Sequence, residues 1–205
     1  MKTKILTVKI LTAVGACGFA LGAMAQTNLV LNPDFSSGAS NWSTSGGGGS
    51  AAYYESTVSA NIYSWGWWSG TAIWQNTTAT IQSGLSYELA VTAQVGQAPA
   101  TGLSLSLQDV TTGWSVVVNQ DFTFASQASG PGQWETFTLA IPESALSGRV
   151  GDIMGVGISL NETPNTQYGW VWAKSVSLVA VPEPSTLVLM SMAALGGFTV
   201  LRRRK

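Results

Sequence analysis

Apolar and polar residues alternate along several stretches of this 205-residue chain. In LSYELAVTAQV, every second residue from Leu85 to Val95 is apolar, and mostly polar residues lie between them. The stretches LSLSL, VGISL and SVSLVAV repeat this period of two. Because successive side chains of a β-strand point to opposite faces, the period indicates strands that are buried on one face. Gly-, Ser- and Pro-rich breaks such as SGGGGSA and GQAPATG separate these strands, so the pattern predicts an all-β sandwich or barrel.

Residues 1–25 have a different pattern, in which three lysines precede an apolar run that ends on Ala-Met-Ala. These are the parts of a secretory signal peptide, and they predict cleavage before Gln26. Two alternatives stay open. The run could remain as a membrane anchor, or Cys17 could be lipidated, because VGAC loosely resembles a bacterial lipobox. If cleavage follows Ala25, the exported chain has no cysteine and therefore no disulfide.

The C-terminal residues 182–205 combine a short peptide, an apolar run and a basic cluster. The peptide is Pro182, Glu183 and Pro184, the apolar run covers residues 186–201, and the cluster is Arg202, Arg203, Arg204 and Lys205. Sixteen helical residues span about 24 Å, against about 30 Å for the hydrocarbon core of a bilayer. The run therefore predicts a single short transmembrane helix. Its basic end is expected on the cytoplasmic side by the positive-inside rule.

The three segments, with VPEPST at their start, closely resemble the PEP-CTERM sorting signal. The resemblance implies processing by an exosortase, a transpeptidase-like membrane protease of Gram-negative bacteria that make exopolysaccharide. It also implies that Pro182, Glu183 and Pro184 form the recognition peptide. The protein would then be anchored transiently in the inner membrane before it reaches the cell surface or the extracellular matrix. An ordinary C-terminal anchor shares this topology and remains the alternative.

Residues 26–181 have the length of a single domain. They contain nine acidic residues and two basic ones, Arg149 and Lys174, and so carry a net charge near −7, whereas the whole chain is near −1. An acidic surface with few charges is unfavourable for nucleic acid and for anionic lipid. Neither is expected as a partner of this domain.

Four stretches of the domain resemble the galactose-binding-like jelly rolls, which include many carbohydrate-binding modules. The stretches are NLVLNPDFSSGASNW, IWQNTTATIQSGLSYELAVTAQV, GQWETFTLAIP and WVWAKSVSLVAV. The resemblance implies a jelly-roll β-sandwich. Ser36 and Lys174 stand where this family usually carries carboxylates that bind a structural calcium, so no metal and no other cofactor is expected. Lys174 could supply the positive charge itself.

The residue types needed for several kinds of catalysis are absent. The chain has no histidine, and its single cysteine lies in the signal peptide, which excludes Ser-His-Asp, Cys-His and His/Cys metal sites in the mature domain. A pair of carboxylates, as in glycosidases, could still come from Asp109, Asp121 and Glu135. Solvated strand ends and turns are the simpler interpretation of these three residues. An enzyme is therefore not expected.

Tryptophan is unusually frequent, because all nine tryptophans fall within the domain. Trp42, Trp74 and Trp134 are expected in the core, while Trp170 and Trp172 fit either the core or its rim. Exposed aromatic faces stack on the apolar faces of sugar rings, and nearby amides and hydroxyls bind the sugar hydroxyls.

The stretch NIYSWGWWSG is the strongest candidate for such a surface. On a strand, Tyr63, Trp65 and Trp67 would share one face and Trp68 the other, yet a sandwich buries only one face of each strand. The sequence therefore predicts Tyr63, Trp65, Trp67 and Trp68 as ligand-binding residues, with pure packing as the alternative. The expected function is non-catalytic binding of exopolysaccharide. A self-associating matrix protein is the main alternative, and a glycan-active enzyme is a further one.

Overall fold

The computed structural model describes residues 26–45, 49–54, 57–64, 72–97, 102–125, 133–161 and 169–182. The expected signal peptide and the apolar run 186–201 lie outside these ranges. Within them, no helix is long and apolar enough to cross a membrane. The described elements are β1 (Ser43–Ser45), β2 (Gly49–Tyr54), β3 (Thr57–Ser64), β4 (Ala72–Thr80), β5 (Leu85–Gln97), β6 (Gly102–Asp109), β7 (Ser115–Thr123), β8 (Glu135–Ile141), a 3₁₀ helix (Glu143–Leu146), β9 (Ile153–Asn161) and β10 (Gly169–Pro182).

These strands form two five-stranded sheets. The first sheet has the order β1-β4-β9-β6-β7 and the second the order β2-β3-β10-β5-β8, and the neighbouring strands pair antiparallel. Strands close in sequence, such as β8 and β9, lie in different sheets, so the chain passes repeatedly between the two layers. The architecture is an all-β jelly-roll sandwich, which confirms the predicted fold class.

The core lies between the two sheets and contains the apolar faces that the alternation predicts. Leu103, Leu105 and Leu107 of β6 are fully buried, and β5 and β9 bury their alternate apolar residues in the same way. In β10 the pairing with β5 shifts by one residue between Ala173 and Ser175. Lys174 is the additional residue of this bulge, and the apolar face continues into the core at Val176.

The N-terminal segment before β1 is fixed to both sheets by side-chain amides. Asn28 accepts a hydrogen bond from the N–H of Leu178 in β10 at 3.0 Å. Gln75 of β4 is 1% exposed and bonds Leu31 twice, accepting from its N–H at 2.6 Å and donating to its C=O at 2.7 Å. Trp42 is buried in the core as predicted, with its ring centroid 5.2 Å from that of Phe35.

Replacing Gln75 by alanine should destabilise the fold, because both backbone groups of Leu31 then lose their partner. A lost partner of this kind costs about 1–3 kcal/mol in the free energy of unfolding. Urea unfolding of Gln75→Ala checks this value. The control is Thr138→Ala on the exposed side of β8, which should change the free energy by no more than about 0.5 kcal/mol. Equal stability of Gln75→Ala and the control would contradict the assigned role.

Candidate functional site

The outer face of the sheet β1-β4-β9-β6-β7 presents an aligned row of residues from three strands. The registers place Trp74 of β4 opposite Gly157 of β9, and Gly157 opposite Ser106 of β6. All three point outward, because the residues on either side of each are buried in the sandwich. Adjacent strands lie about 4.8 Å apart, so the row crosses about 10 Å of the sheet.

A groove opens over this row because Gly157, its member from β9, has no side chain. A Cβ on Gly157 would lie 2.5 Å from Oγ of Ser106 and 2.8 Å from Nε2 of Gln108, which is closer than non-bonded atoms approach. The groove has a volume of about 300 Å³. Trp74 and Trp114 form its walls, and Ser106, Gln108, Gly157 and Ser159 contribute to its floor.

The two walls contact each other. The ring centroids of Trp74 and Trp114 are 6.3 Å apart, and the ring planes are 75° from parallel, which is the edge-to-face arrangement that aromatic pairs favour. The prediction that Trp74 is a core residue is therefore wrong, since its half-buried indole lies on the outer face. Its neighbour Gln75 takes the inward position, where it binds the backbone of Leu31.

Trp114 reaches the groove from the turn 110–114, which joins β6 to β7. Gly113 and Trp114 have φ angles of 84° and 66°, in the left-handed region. For a residue with a side chain this conformation costs about 1–2 kcal/mol. The indole lies against bare backbone of β9, because a Cβ on Gly155 would be 2.7 Å from Cζ3 of Trp114. Glycine at position 155 therefore makes room for this wall.

The floor of the groove contains a short chain of hydrogen bonds. Gln108 Nε2 donates to Ser106 Oγ at 3.2 Å, and Ser106 Oγ donates to the carbonyl of Gly157 at 3.5 Å. This leaves the carbonyl oxygen and the second N–H of the Gln108 amide with capacity for a ligand. The floor can therefore both donate to and accept from ligand hydroxyls.

The walls and floor named above carry no charged side chain. In the described part of the chain the two basic residues lie elsewhere. Arg149 is paired with Asp109 at 2.6 Å, and Lys174 belongs to the other sheet, where its Nζ lies 4.2 Å from the ring centroid of Trp134. Trp134 is thus half-buried beneath a cation and is not a core residue, contrary to the prediction. The uncharged groove suits a neutral ligand.

Asp109 is not the solvated strand end that the sequence indicates, since it is 0% exposed. It accepts hydrogen bonds from Arg149 Nη1 at 2.6 Å and from the N–H of Thr112 at 3.1 Å. Burial by itself raises the pKa of Asp109, but the hydrogen bonds from Thr112, Arg149 and Asp152 together lower it below its ordinary value. For Asp152 the pKa is raised, first by desolvation and then by the charge and hydrogen bonding of Asp109.

The three carboxylates considered for catalysis do not come together. Asp121 pairs with Ser104, whose Oγ donates to it, and Ser104 lies five residues from Asp109 along β6. Five residues of strand span about 17 Å, whereas the two carboxylates of a glycosidase are about 5–9.5 Å apart. Glu135 belongs to the other sheet and accepts from the N–H of Ala125 at 3.0 Å. Among the described residues, no group of three or more His, Cys, Asp or Glu could hold a metal ion.

The ligand-binding residues that the sequence predicts lie mostly outside the described residues. This applies to Trp65, Trp67 and Trp68, and for Tyr63 only the backbone is described, where it pairs with Trp170 in the second sheet. Trp172 is buried and Trp170 half-buried, with ring centroids 6.5 Å apart. Sequence reasoning missed the groove itself. The sequence feature that could have indicated the groove is the run of small and polar residues at the outward positions of LSLSLQD and VGISL.

Residues 180–205 match the PEP-CTERM protein-sorting motif, as the sequence predicts. The chain has no match among curated protein sequences. Among solved structures, a putative sugar binding protein from Bacteroides thetaiotaomicron is similar over 76% of this chain and 100% of its own, with a TM-score of 0.55 at 12% identity.

Two further structures have a TM-score of 0.50. A CBM4 structure is similar over 72% of this chain and 99% of its own at 15% identity. An arabinose-bound GH51 α-L-arabinofuranosidase is similar over 76% of this chain and 25% of its own at 13% identity. At such low identities these similarities show the fold alone. The shared fold is a jelly-roll β-sandwich, as the resemblance implies.

Replacing Asp152 by asparagine should raise the melting temperature at neutral pH, because the substitution removes a carboxylate whose ionisation is opposed first by desolvation and then by the charge of Asp109. A raised pKa in the folded state means that the folded protein binds this proton more tightly than the unfolded chain. Ionisation of Asp152 therefore lowers stability as pH rises above about 3.8 and through the raised pKa. The advantage of Asp152→Asn should disappear towards acid, where the wild-type carboxyl is protonated.

Thermal melts between acidic and neutral pH measure this difference. Glu88→Gln, on the exposed side of β5, is the control for a simple change in net charge. A melting temperature of Asp152→Asn at or below that of the wild type at neutral pH would contradict the coupling. Below about pH 3.8 both proteins should lose stability together, because the lowered pKa of Asp109 stabilises the fold only while that group is ionised.

Proposed function

We propose that this chain is an exosortase-sorted protein of the cell surface or extracellular matrix, and that its sandwich binds exopolysaccharide without catalysis. The observation that carries the proposal is the groove in which Trp74 and Trp114 stand beside an uncharged polar floor. The fold supports it, because the putative sugar binding protein and the CBM4 structure share the same architecture.

Recognition by the groove has an apolar and a polar part. A sugar ring presents an apolar face of C–H groups, which packs on an indole, and a rim of hydroxyls, which needs hydrogen-bond partners. Trp74 and Trp114 supply the aromatic surface, while Gln108 and Ser106 supply the partners. An open groove on a sheet face is the kind of site that would accept a segment within a polymer.

The charge distribution selects the class of glycan. The domain carries a net charge near −7, and the groove walls and floor contribute no cation to offset it. Such a field repels anionic polymers, such as those rich in uronate or sulfate. The expected ligand is therefore a neutral polysaccharide, or a neutral segment of a mixed one.

The sorting motif explains how the domain reaches its ligand. Pro182 is the last residue of β10 and pairs with Leu85, so Glu183 and Pro184 follow directly on the folded domain. An exosortase would recognise this peptide while the run 186–201 holds the protein in the inner membrane. Processing would then deliver the domain to the surface or the matrix, where exopolysaccharide accumulates.

Replacing Trp74 or Trp114 by alanine should weaken binding of a neutral polysaccharide by about 1–3 kcal/mol, the range found for aromatic stacking on flat ligands. Affinity electrophoresis and calorimetry with a panel of neutral and anionic polysaccharides measure this effect. Trp42→Ala is the matched control, because the loss of this core tryptophan should lower the free energy of unfolding by about 3–5 kcal/mol. Unchanged affinity in both groove variants would reject the groove as the binding site.

The same measurements test the aromatic segment of the sequence. Trp65→Ala and Trp67→Ala should lower the affinity as well if that segment contacts the ligand, with a change in stability of no more than about 0.5 kcal/mol. A large loss of stability in both variants would instead assign these rings to packing. Failure of the wild-type protein to bind any glycan, together with self-association, would favour a structural matrix protein.

Replacing Gly157 by alanine adds a methyl group to the floor of the groove without removing an aromatic ring. The new methyl group meets the movable ends of Ser106 and Gln108, so the chain should fold with little loss of stability. It should disturb the Gln108–Ser106 hydrogen bond and reduce the affinity for polysaccharide. A normal affinity together with a normal melting temperature would show that the floor at Gly157 does not contact the ligand.

Replacing Pro182, Glu183 and Pro184 by alanines should leave export intact but block processing. Cell fractionation and mass spectrometry should then find a membrane-bound precursor with the C-terminal residues still attached. Alanine at Arg202, Arg203 and Arg204 tests the basic cluster in the same way. Unchanged release of the triple proline-glutamate variant would contradict exosortase sorting.

A further inference from the structure

The turn 110–114 carries one wall of the groove, yet its base is fixed by an ion pair with a buried carboxylate, and this pair does not line the groove. We propose that Asp109 and Arg149 are positioning residues that hold Trp114 in its binding orientation before any ligand arrives. This inference rests on the proposed function of the groove for its effect on affinity. Its structural part concerns the orientation of a single indole and can be tested without a ligand.

Asp109 connects the turn to a distant loop. Its Oδ1 accepts from the N–H of Thr112 at 3.1 Å, within the turn, and its Oδ2 accepts from Arg149 Nη1 at 2.6 Å. The carboxylate is 0% exposed, so water cannot replace either partner without rearrangement of the turn. Arg149 belongs to the loop before β9, forty residues away in sequence.

Further contacts tie the same turn to the start of β9. The hydroxyl of Thr111 accepts from the N–H of Ile153 at 2.8 Å, and the N–H of Val110 donates to the C=O of Ile153 at 2.9 Å. On the other side, the hydroxyls of Thr112 and Ser115 are hydrogen-bonded at 2.8 Å. The turn is therefore held at its base and along both flanks.

The conformation of Trp114 requires such support. Its φ of 66° is unfavourable for a residue with a side chain and persists only where the surroundings determine it. The indole itself packs against the ring of Trp74 and the backbone at Gly155. A ring held in place in the free protein loses little conformational freedom on binding, which raises the affinity for a flat ligand. The ion pair thus acts on affinity through the orientation of Trp114.

The experiment compares Asp109→Asn, Arg149→Lys and the milder Thr111→Val in the purified, exported protein. Circular dichroism reports on the Trp74–Trp114 pair, because two indoles in contact with non-parallel planes couple. The spectrum of wild type minus that of Trp114→Phe isolates this signal, since the Trp170–Trp172 pair is common to both. The control is Lys174→Ala, which removes the other described cation from the ring of Trp134 and should leave the signal unchanged.

We expect Asp109→Asn and Thr111→Val to reduce the pair signal at temperatures where both variants remain folded. Polysaccharide affinity should fall by about 2- to 30-fold, the size of effects transmitted through supporting residues. Arg149→Lys keeps the positive charge. It should therefore retain more of the pair signal and more of the polysaccharide affinity than Arg149→Ala. In a Trp114→Ala background, Asp109→Asn should cause no further loss of affinity, because the wall it positions is already absent.

An intact pair signal in folded Asp109→Asn would overturn the inference. So would a loss of affinity that persists in the Trp114→Ala background, since the ion pair would then act by another route. If the wild-type protein binds no glycan, the proposed function fails, but the pair signal still decides whether Asp109 and Arg149 orient Trp114. The two failures are therefore distinguishable.

Discussion

The period of two along the central strands sets both the stability of this domain and the shape of its surface. Residues 26–181 contain no cysteine, so the packing of the two sheets has to stabilise the domain without an internal disulfide. In β9, Val156 and Ile158 are buried between the sheets, and the alternate residues Gly155 and Gly157 face outward. The same alternation that builds the core therefore leaves bare backbone on the outer face, where Gly155 makes room for Trp114 and Gly157 contributes to the floor of the groove.

The strand faces could be predicted from the sequence because they depend on a local pattern. The apolar positions of β5, β6, β9 and β10 lie in the core as expected, and so does Trp42. Trp74 could not be placed correctly, because local hydrophobicity favours burying the tryptophan and exposing its neighbour. In the structure Gln75 is the inward residue and Trp74 the outward one. Gln75 lies inside because it hydrogen-bonds the backbone of Leu31, which is 44 residues away. Long-range hydrogen bonding of this kind leaves no periodic signal.

The groove depends on the registers between strands that are distant in sequence. Trp74, Ser106 and Gly157 become neighbours only when β4, β9 and β6 pair as they do. Asp109 shows the same limit, since an acidic residue at a strand end before Thr-Thr-Gly is typical of a solvated turn. Its burial follows from Arg149, one of two basic residues in the region 26–181. The sequence did contain one signal for this contact. A region with only two basic residues is expected to use each of them for a specific contact.

The placement of the groove on a sheet face is compatible with the membrane anchoring that the proposed function implies. The sorting motif starts within β10, whose last residues pair with the start of β5. β10 belongs to one sheet and the groove to the outer face of the other, so the two lie on opposite sides of the sandwich. Under the proposed function, anchoring through the tail would leave the groove facing solvent. Binding of a matrix polymer would then need no rearrangement of the domain after the tail is removed, and a rigid wall such as Trp114 could act in the anchored and the released protein alike.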